Sequence, residues 1–147
     1  MSRRPLAAAF IVSLVALGVA GCGSKNENSA DDFKGDQQQV AKVIDSLEKA
    51  SAGRRTPDAK KICKELITPG LAKEIASQEQ GKDCDNRVKD SLEDRNDAGG
   101  VATLEVKKVT IAGDQAVASV KDEAGNDEQM SNYTLVRSGN SWRISSF

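Results

Sequence analysis

Apolar positions recur along most of this chain with two successive periods, the first helical and the second alternating. Val40, Val43, Ile44 and Leu47 fall at i, i+3, i+4 and i+7, which is one stripe of an amphipathic helix. Asp36 followed by Gln37, Gln38 and Gln39 predicts an N-cap with a capping-box glutamine three residues on, and Gly53 predicts the stop just after Ala52. Thr56-Pro57-Asp58 predicts a second start, because threonine caps, proline tolerates the first helical position and aspartate favours the positive end of the helix dipole. Ile62, Cys63 and Leu66 share the buried face of that second helix. Thr68-Pro69 restarts a short third helix carrying Leu71 and Ile75, which the polar stretch 77–83 ends. A fourth helix from about Asp85 sets Val88 and Leu92 one turn apart, and an acidic stretch before Gly99-Gly100 closes it.

Beyond the glycine pair the period becomes two. Leu104 and Val106 alternate with charged neighbours, then Val109 and Ile111 continue on the opposite parity. A slip of one residue at Lys107-Lys108 predicts a β-bulge, which bends a strand. Gly113-Asp114 predicts a tight turn into Ala116, Ala118 and Val120, and 122–127 reads as a polar loop around Gly125-Asn126. A third strand runs through Met130, Tyr133 and Leu135, and Ser138-Gly139-Asn140 turns into a last strand with Trp142 and Ile144. The predicted fold class is α+β, with N-terminal helices packed on a curved four-stranded antiparallel meander.

Ahead of this plan lies a segment of another kind. Arg3 and Arg4 precede an uncharged run over 6–20, closed by Gly21. Fifteen residues of helix reach about 22 Å, short of the roughly 30 Å hydrocarbon core of a bilayer, so a permanent membrane span is the weaker reading. Val19-Ala20-Gly21-Cys22 resembles the bacterial lipobox, in which small residues fit the lipoprotein signal peptidase and the cysteine receives a diacylglyceryl group on sulfur. That resemblance implies a signal peptide over 1–21, lipidation at Cys22, and attachment at the extracytoplasmic face of the cell membrane. Two acyl chains, at about 0.8 kcal/mol per buried CH2, make a lasting anchor where one chain does not. Twin arginines leave both the general secretory and the twin-arginine export routes open. Residues 22–35, rich in Ser, Asn, Asp and Gly, read as a flexible tether, and 36–147 as one domain with one modest core.

Charge and cysteine usage narrow the chemistry. The chain has 21 Lys+Arg against 22 Asp+Glu, and removing 1–21 takes two arginines, leaving 19 against 22. A mildly acidic mature protein lacks the concentrated basic surface on which nucleic-acid binding rests. With Cys22 assigned to lipid, Cys63 and Cys84 remain, and in an oxidising compartment a disulfide is their default state. A buried free thiol or a metal-ligand role fits them less well, since the chain has no histidine and no CxxC spacing. No cofactor or metal is expected.

The overall plan resembles the NTF2-like (cystatin-like α+β cone) superfamily, and more narrowly the small actinobacterial lipoproteins that join a lipobox to such a domain. The resemblance is carried by the first helix through Val40 and Leu47, the stretch from Ile62-Cys63 to Thr68-Pro69, the bent strand from Val101 to Ile111, and the closing Gly139-Asn140-Ser141-Trp142-Arg143-Ile144. The chain departs from nuclear transport factor 2 in showing no early strand pair between its helices. The resemblance implies a curved sheet wrapped round a long helix, with a pocket at the wide end that Tyr133 and Trp142 are candidates to line.

Catalytic constellations are sparse. Without histidine no Ser-His or Cys-His pair exists, and Gly113, Gly125 and Gly139 belong to hairpin turns, not to a phosphate-cradling loop. Aromatic content of 3% is too low for base- or sugar-stacking surfaces. Isomerases of the ketosteroid type use an aspartate base with a tyrosine as oxyanion donor, and Tyr133 is the only tyrosine here. The expectation is therefore a non-catalytic module binding a small apolar ligand or an envelope protein. The alternative is a lyase or isomerase acting on a small hydrophobic substrate, and a carboxylate beside Tyr133 inside a cavity distinguishes the two.

Overall fold

A computed structural model of the chain describes residues 29–52, 57–98, 100, 103–124 and 127–147. The apolar run over 6–20, the lipobox with Cys22, the glycine stop at Gly53, the Thr56 cap, Gly99 and the Gly125-Asn126 turn lie outside the described residues. Among the described residues, four α-helices precede a four-stranded antiparallel sheet of order β1-β2-β3-β4. The helices are α1 (Gly35–Ser51), α2 (Ala59–Lys61), α3 (Pro69–Ser77) and α4 (Cys84–Asp97), and α2 runs directly into a π-helical turn, Ile62–Leu66. The strands are β1 (Leu104–Ala112), β2 (Gln115–Ala124), β3 (Asp127–Ser138) and β4 (Ser141–Ser146).

The sequence pattern and the strands agree closely. In β1 the pairing register shifts between Val106 and Lys108, so Lys107 is the extra residue, and Leu104, Val106 and Val109 are all buried across the change of parity. The bulge thus keeps both halves of the strand facing the core. Ala112 pairs with Gln115 around a two-residue turn in which Gly113 takes a φ of +61°, a conformation costly for any residue with a Cβ. The β2–β3 connection is tighter than the polar loop expected over 122–127. Both strands run on, Ala124 pairing with Asp127, so the ladder extends through residues the pattern gave to a loop. Tyr133 and Leu135 share the core face of β3, while Met130, of opposite parity, is 62% exposed.

Helix starts shift by one or two residues where tertiary contacts compete. Lys34, not Asp36, is the N-cap of α1 and makes no side-chain cap, while Gly35 at φ +58° turns the chain into the helix. Asp36 instead spends its carboxylate on Arg137 Nη2 of β3, 2.5 Å away, an ion pair no local pattern announces. The second helix starts after Asp58, whose carboxylate accepts from Lys61 N, so Pro57 lies outside it. Its continuation is π-helical, with Ile67 N donating to Ile62 O across five residues. Thr68 caps α3 as expected, its Oγ1 accepting from Leu71 N at 3.2 Å with Pro69 next. Asp83 caps α4 through Asn86 N.

Cys63 in the π turn and Cys84 at the first residue of α4 form a disulfide, with Cα atoms 6.1 Å apart. The core that this bond borders joins Val40 and Ile44 of α1 to Ala118 and Val120 of β2, Leu135 of β3 and Ile144 of β4. Ile67 makes a single parallel bridge to Ile144, and Thr68 N donates to Ile144 O at 2.8 Å, fastening the helical layer to the last strand.

Within the span 22–35, expected to be a tether, the residues from Ser29 onward are structured. Ser29–Asp32 forms a 3-10 turn with Ser29 and Ala30 buried and Phe33 packed on the core. Ser29 Oγ donates to Asp45 Oδ1 at 2.9 Å, Ala30 N donates to Asp45 Oδ2 at 3.2 Å, and Ser29 Oγ accepts from Val106 N at 3.2 Å. The polar residues read as linker are therefore partners for a buried carboxylate and a strand edge. Leu104 N also donates to Glu48 Oε2, and Val109 O accepts from Gln37 Nε2, so side chains satisfy the outer edge of β1, which otherwise offers unpaired groups to another strand.

Candidate functional site

A half-open pocket of about 320 Å3 lies between the helices and the end of the sheet where β4 finishes. Helical and strand periodicity supply its walls. Leu47 projects from α1, Ile62 from the π turn, Ile67 from the bridge to β4 and Ile75 from α3, giving an apolar floor. Helix α4 contributes two adjacent columns, Val88 with Leu92, and Arg87 with Ser91 and Arg95, because residues four apart stand one above the other. Tyr133 closes the sheet side. Phe147, 67% exposed, stands at the rim with its ring centroid 6.0 Å from that of Tyr133.

The polar groups are held by ion pairs. Arg87 Nη1 donates to Glu79 Oε2 at 2.6 Å, and Glu79 is shared with Lys82, whose Nζ lies 2.9 Å from Oε1 and also reaches Asp90. The hydrogen bond from Lys82, reinforced by the charges of Lys82 and Arg87, holds the Glu79 carboxyl below its usual range. On the other side Arg95 Nη2 meets Asp122 Oδ2 at 2.9 Å. Burial first, and then the negative charge of Asp122, push the Tyr133 hydroxyl above its ordinary value of 10, with Arg95 partly opposing. Tyr133 is thus a neutral donor at physiological pH.

Because the chain has one tyrosine, this is directly measurable. The phenolate absorbance of the native protein is expected to appear at a pH above 10, and Asp122→Asn should lower that midpoint only partway, since burial is the larger cause. A midpoint at or below 10 in native protein would contradict the buried placement. The linkage has a definite sign: the stability Tyr133 contributes is complete below the ordinary value and lost as pH rises through the folded one.

Tyr133 lies in the pocket, and Trp142, the second candidate to line it, is a core plug instead. Trp142 is 2% exposed in the core, with the Arg137 guanidinium carbon 4.6 Å from its ring centroid. The reason is position along β4. Trp142 pairs with Arg137 beside the β3–β4 turn, whereas the pocket opens at the far end of that strand, past Ser146. Arg87, Ser91 and Arg95 were not singled out from the sequence, although their i, i+4, i+8 spacing beside Val88 and Leu92 marks one helix face. Asp122, in the polar stretch 122–127, lies in β2, and its approach to Arg95 across 27 residues has no local signature.

No carboxylate lines the described pocket, and the one near Tyr133, on Asp122, is engaged by Arg95. Among the described residues, no group of three or more His, Cys, Asp or Glu side chains is placed to hold a metal ion, and no helix is long and apolar enough to cross a membrane. No family model, no curated protein and no solved structure matches this chain. Its function is therefore read from the chemistry of the pocket and of the N-terminal segment.

Proposed function

We propose that this chain is an extracytoplasmic lipoprotein, anchored to the membrane through lipid on Cys22, whose NTF2-like domain binds a small ligand without catalysis. The observation that carries the binding reading is the pocket of about 320 Å3, at the low end of the roughly 300–1,000 Å3 of ligand sites, with an apolar floor and a few convergent polar groups. Support for the NTF2-like reading comes from helices placed before a bulged first strand and a four-stranded meander. Support for export comes from the Cys63–Cys84 bond, which suits an oxidising compartment and leaves Cys22 as the remaining cysteine.

The proximity of Asp122 to Tyr133 is the one observation that favours a lyase or isomerase instead. A carboxylate serving as base needs access to substrate, and this one is clamped by a guanidinium at 2.9 Å, which favours the binding reading.

The anchor has a direct test. Full-length protein produced in a lipoprotein-processing bacterium is expected to yield a mature N-terminal peptide beginning at Cys22 and carrying a diacylglyceryl mass. Cys22→Ser should retain residues 1–21 or lose the lipid mass altogether. Membrane-bound protein with an unmodified Cys22 would refute the anchor.

A further inference from the structure

The pocket is asymmetric in charge. Two arginines line it and no carboxylate does, while its floor is aliphatic. We propose that the ligand is a small amphiphilic monocarboxylate, its apolar body over Leu47, Ile75 and Leu92 and its carboxylate at the Arg87 and Ser91 end of α4. This rests on the ligand-binding reading above and adds to it the chemical class of the ligand.

The two arginines are not equivalent, and their partners decide which can receive the carboxylate. Drawing Arg95 away would strand Asp122, whose side chain is only 22% exposed and whose Oδ1 is already buried without a hydrogen-bond partner. Removing the partner of such a carboxylate carries its full desolvation penalty. Glu79, by contrast, is half-exposed and keeps Lys82 at 2.9 Å if Arg87 turns to another anion. Arg87 also has spare capacity. Glu79 takes Nη1, and Nε is buried with no hydrogen-bond partner. The Nε–Nη2 edge is the side of a guanidinium that grips a carboxylate through two parallel hydrogen bonds. Ser91, one helical turn on, offers a hydroxyl beside it, and neutral Tyr133 supplies a donor from the sheet.

The test uses the lipidated full chain in lipid nanodiscs, with empty nanodiscs as baseline, and three six-carbon probes that differ only in the head: hexanoate, hexanol and hexylammonium. Hexanoate is expected to bind at least tenfold more tightly than hexanol, with hexylammonium weakest, and the advantage should shrink as salt is raised. Arg87→Gln should bring hexanoate down to the level of hexanol while hexanol binding persists, which also shows that the variant pocket is folded. Arg87→Lys keeps the charge without the fork and should recover only part of the difference. Ile75→Trp, which fills the floor, should abolish all three. Equal binding of hexanoate and hexanol, both lost in Ile75→Trp, would overturn the carboxylate assignment and leave the ligand-binding reading standing. Tighter hexylammonium binding would overturn the assignment in the same way. Binding of none of the probes would overturn both.

Discussion

Breaking the Cys63–Cys84 bond is expected to cost the domain about 3 kcal/mol and to lower its melting temperature by roughly 10–20 °C. The cysteines are 21 residues apart, so the bond removes loop-closure freedom from the unfolded chain across the whole of α3 and the polar stretch that follows it. It also ties α4 to the rest of the helical layer. The π turn and α4 meet there, and α4 reaches the core only through Cys84 and the half-buried Val88 and Leu92. Thermal unfolding of Cys63→Ala/Cys84→Ala protein against the oxidised parent measures the effect. A shift of under 2 °C would mean that packing alone holds α4. Since Arg87, Ser91 and Leu92 ride on that helix, the hexanoate binding proposed above should weaken in the same variant even below its melting temperature.

The second large effect is expected from Asp45→Ala. Asp45 is 6% exposed and takes hydrogen bonds from Ser29 Oγ and Ala30 N, while Ser29 Oγ accepts from Val106 N on β1. Truncation leaves a buried hydroxyl and a buried amide unsatisfied, at a cost of about 2 kcal/mol or roughly 10 °C. Part of the loss is offset through Glu48. Burial chiefly, and the charge of Asp45 in addition, raise its carboxyl above the ordinary value against the pull of the Leu104 N–H. A carboxyl raised in this way favours the fold below its ordinary value and loses that contribution as pH rises through the folded one, so removing Asp45 relieves Glu48 at neutral pH. The distinguishing readout is local. Amide exchange at Ala30 and Val106 should accelerate more than at core positions of β2 and β3. Uniform acceleration across the domain would show that the contact only adds to global stability. This contact makes Ser29 and Ala30 part of the packed domain, ahead of Asp36.

How much of the site was legible depended on the range of the forces that built it. Tyr133 is a pocket candidate through the family resemblance, and strand parity places it on the core face with Leu135. The same parity put Trp142 on that face, but parity does not say at which end of the sheet a cavity forms, and the packing of α4 against the far end left Trp142 beside Arg137. The arginine column on α4 is present in the spacing, but it lies among acidic residues that give the same polar face, so spacing alone does not distinguish it. The pairings of Arg95 with Asp122, Asp36 with Arg137 and Ser29 with Asp45 span 27, 101 and 16 residues and have no local pattern at all.

The sequence by itself determined the order of elements, the bulge at Lys107, the turn at Gly113, the Thr68 cap and the pairing of Cys63 with Cys84. Each of these follows from interactions within a few residues, or from the redox chemistry of the two cysteines left once Cys22 is set aside. Tertiary structure alone decided where α1 begins, that Ser29 and Ala30 belong to the domain, and which polar groups face the pocket. The physical reason is that a buried or half-buried charge takes its partner from whatever element packing brings within about 3 Å. Periodicity fixes which face of a helix or strand is apolar, while the pairing of charges is settled only when those faces meet.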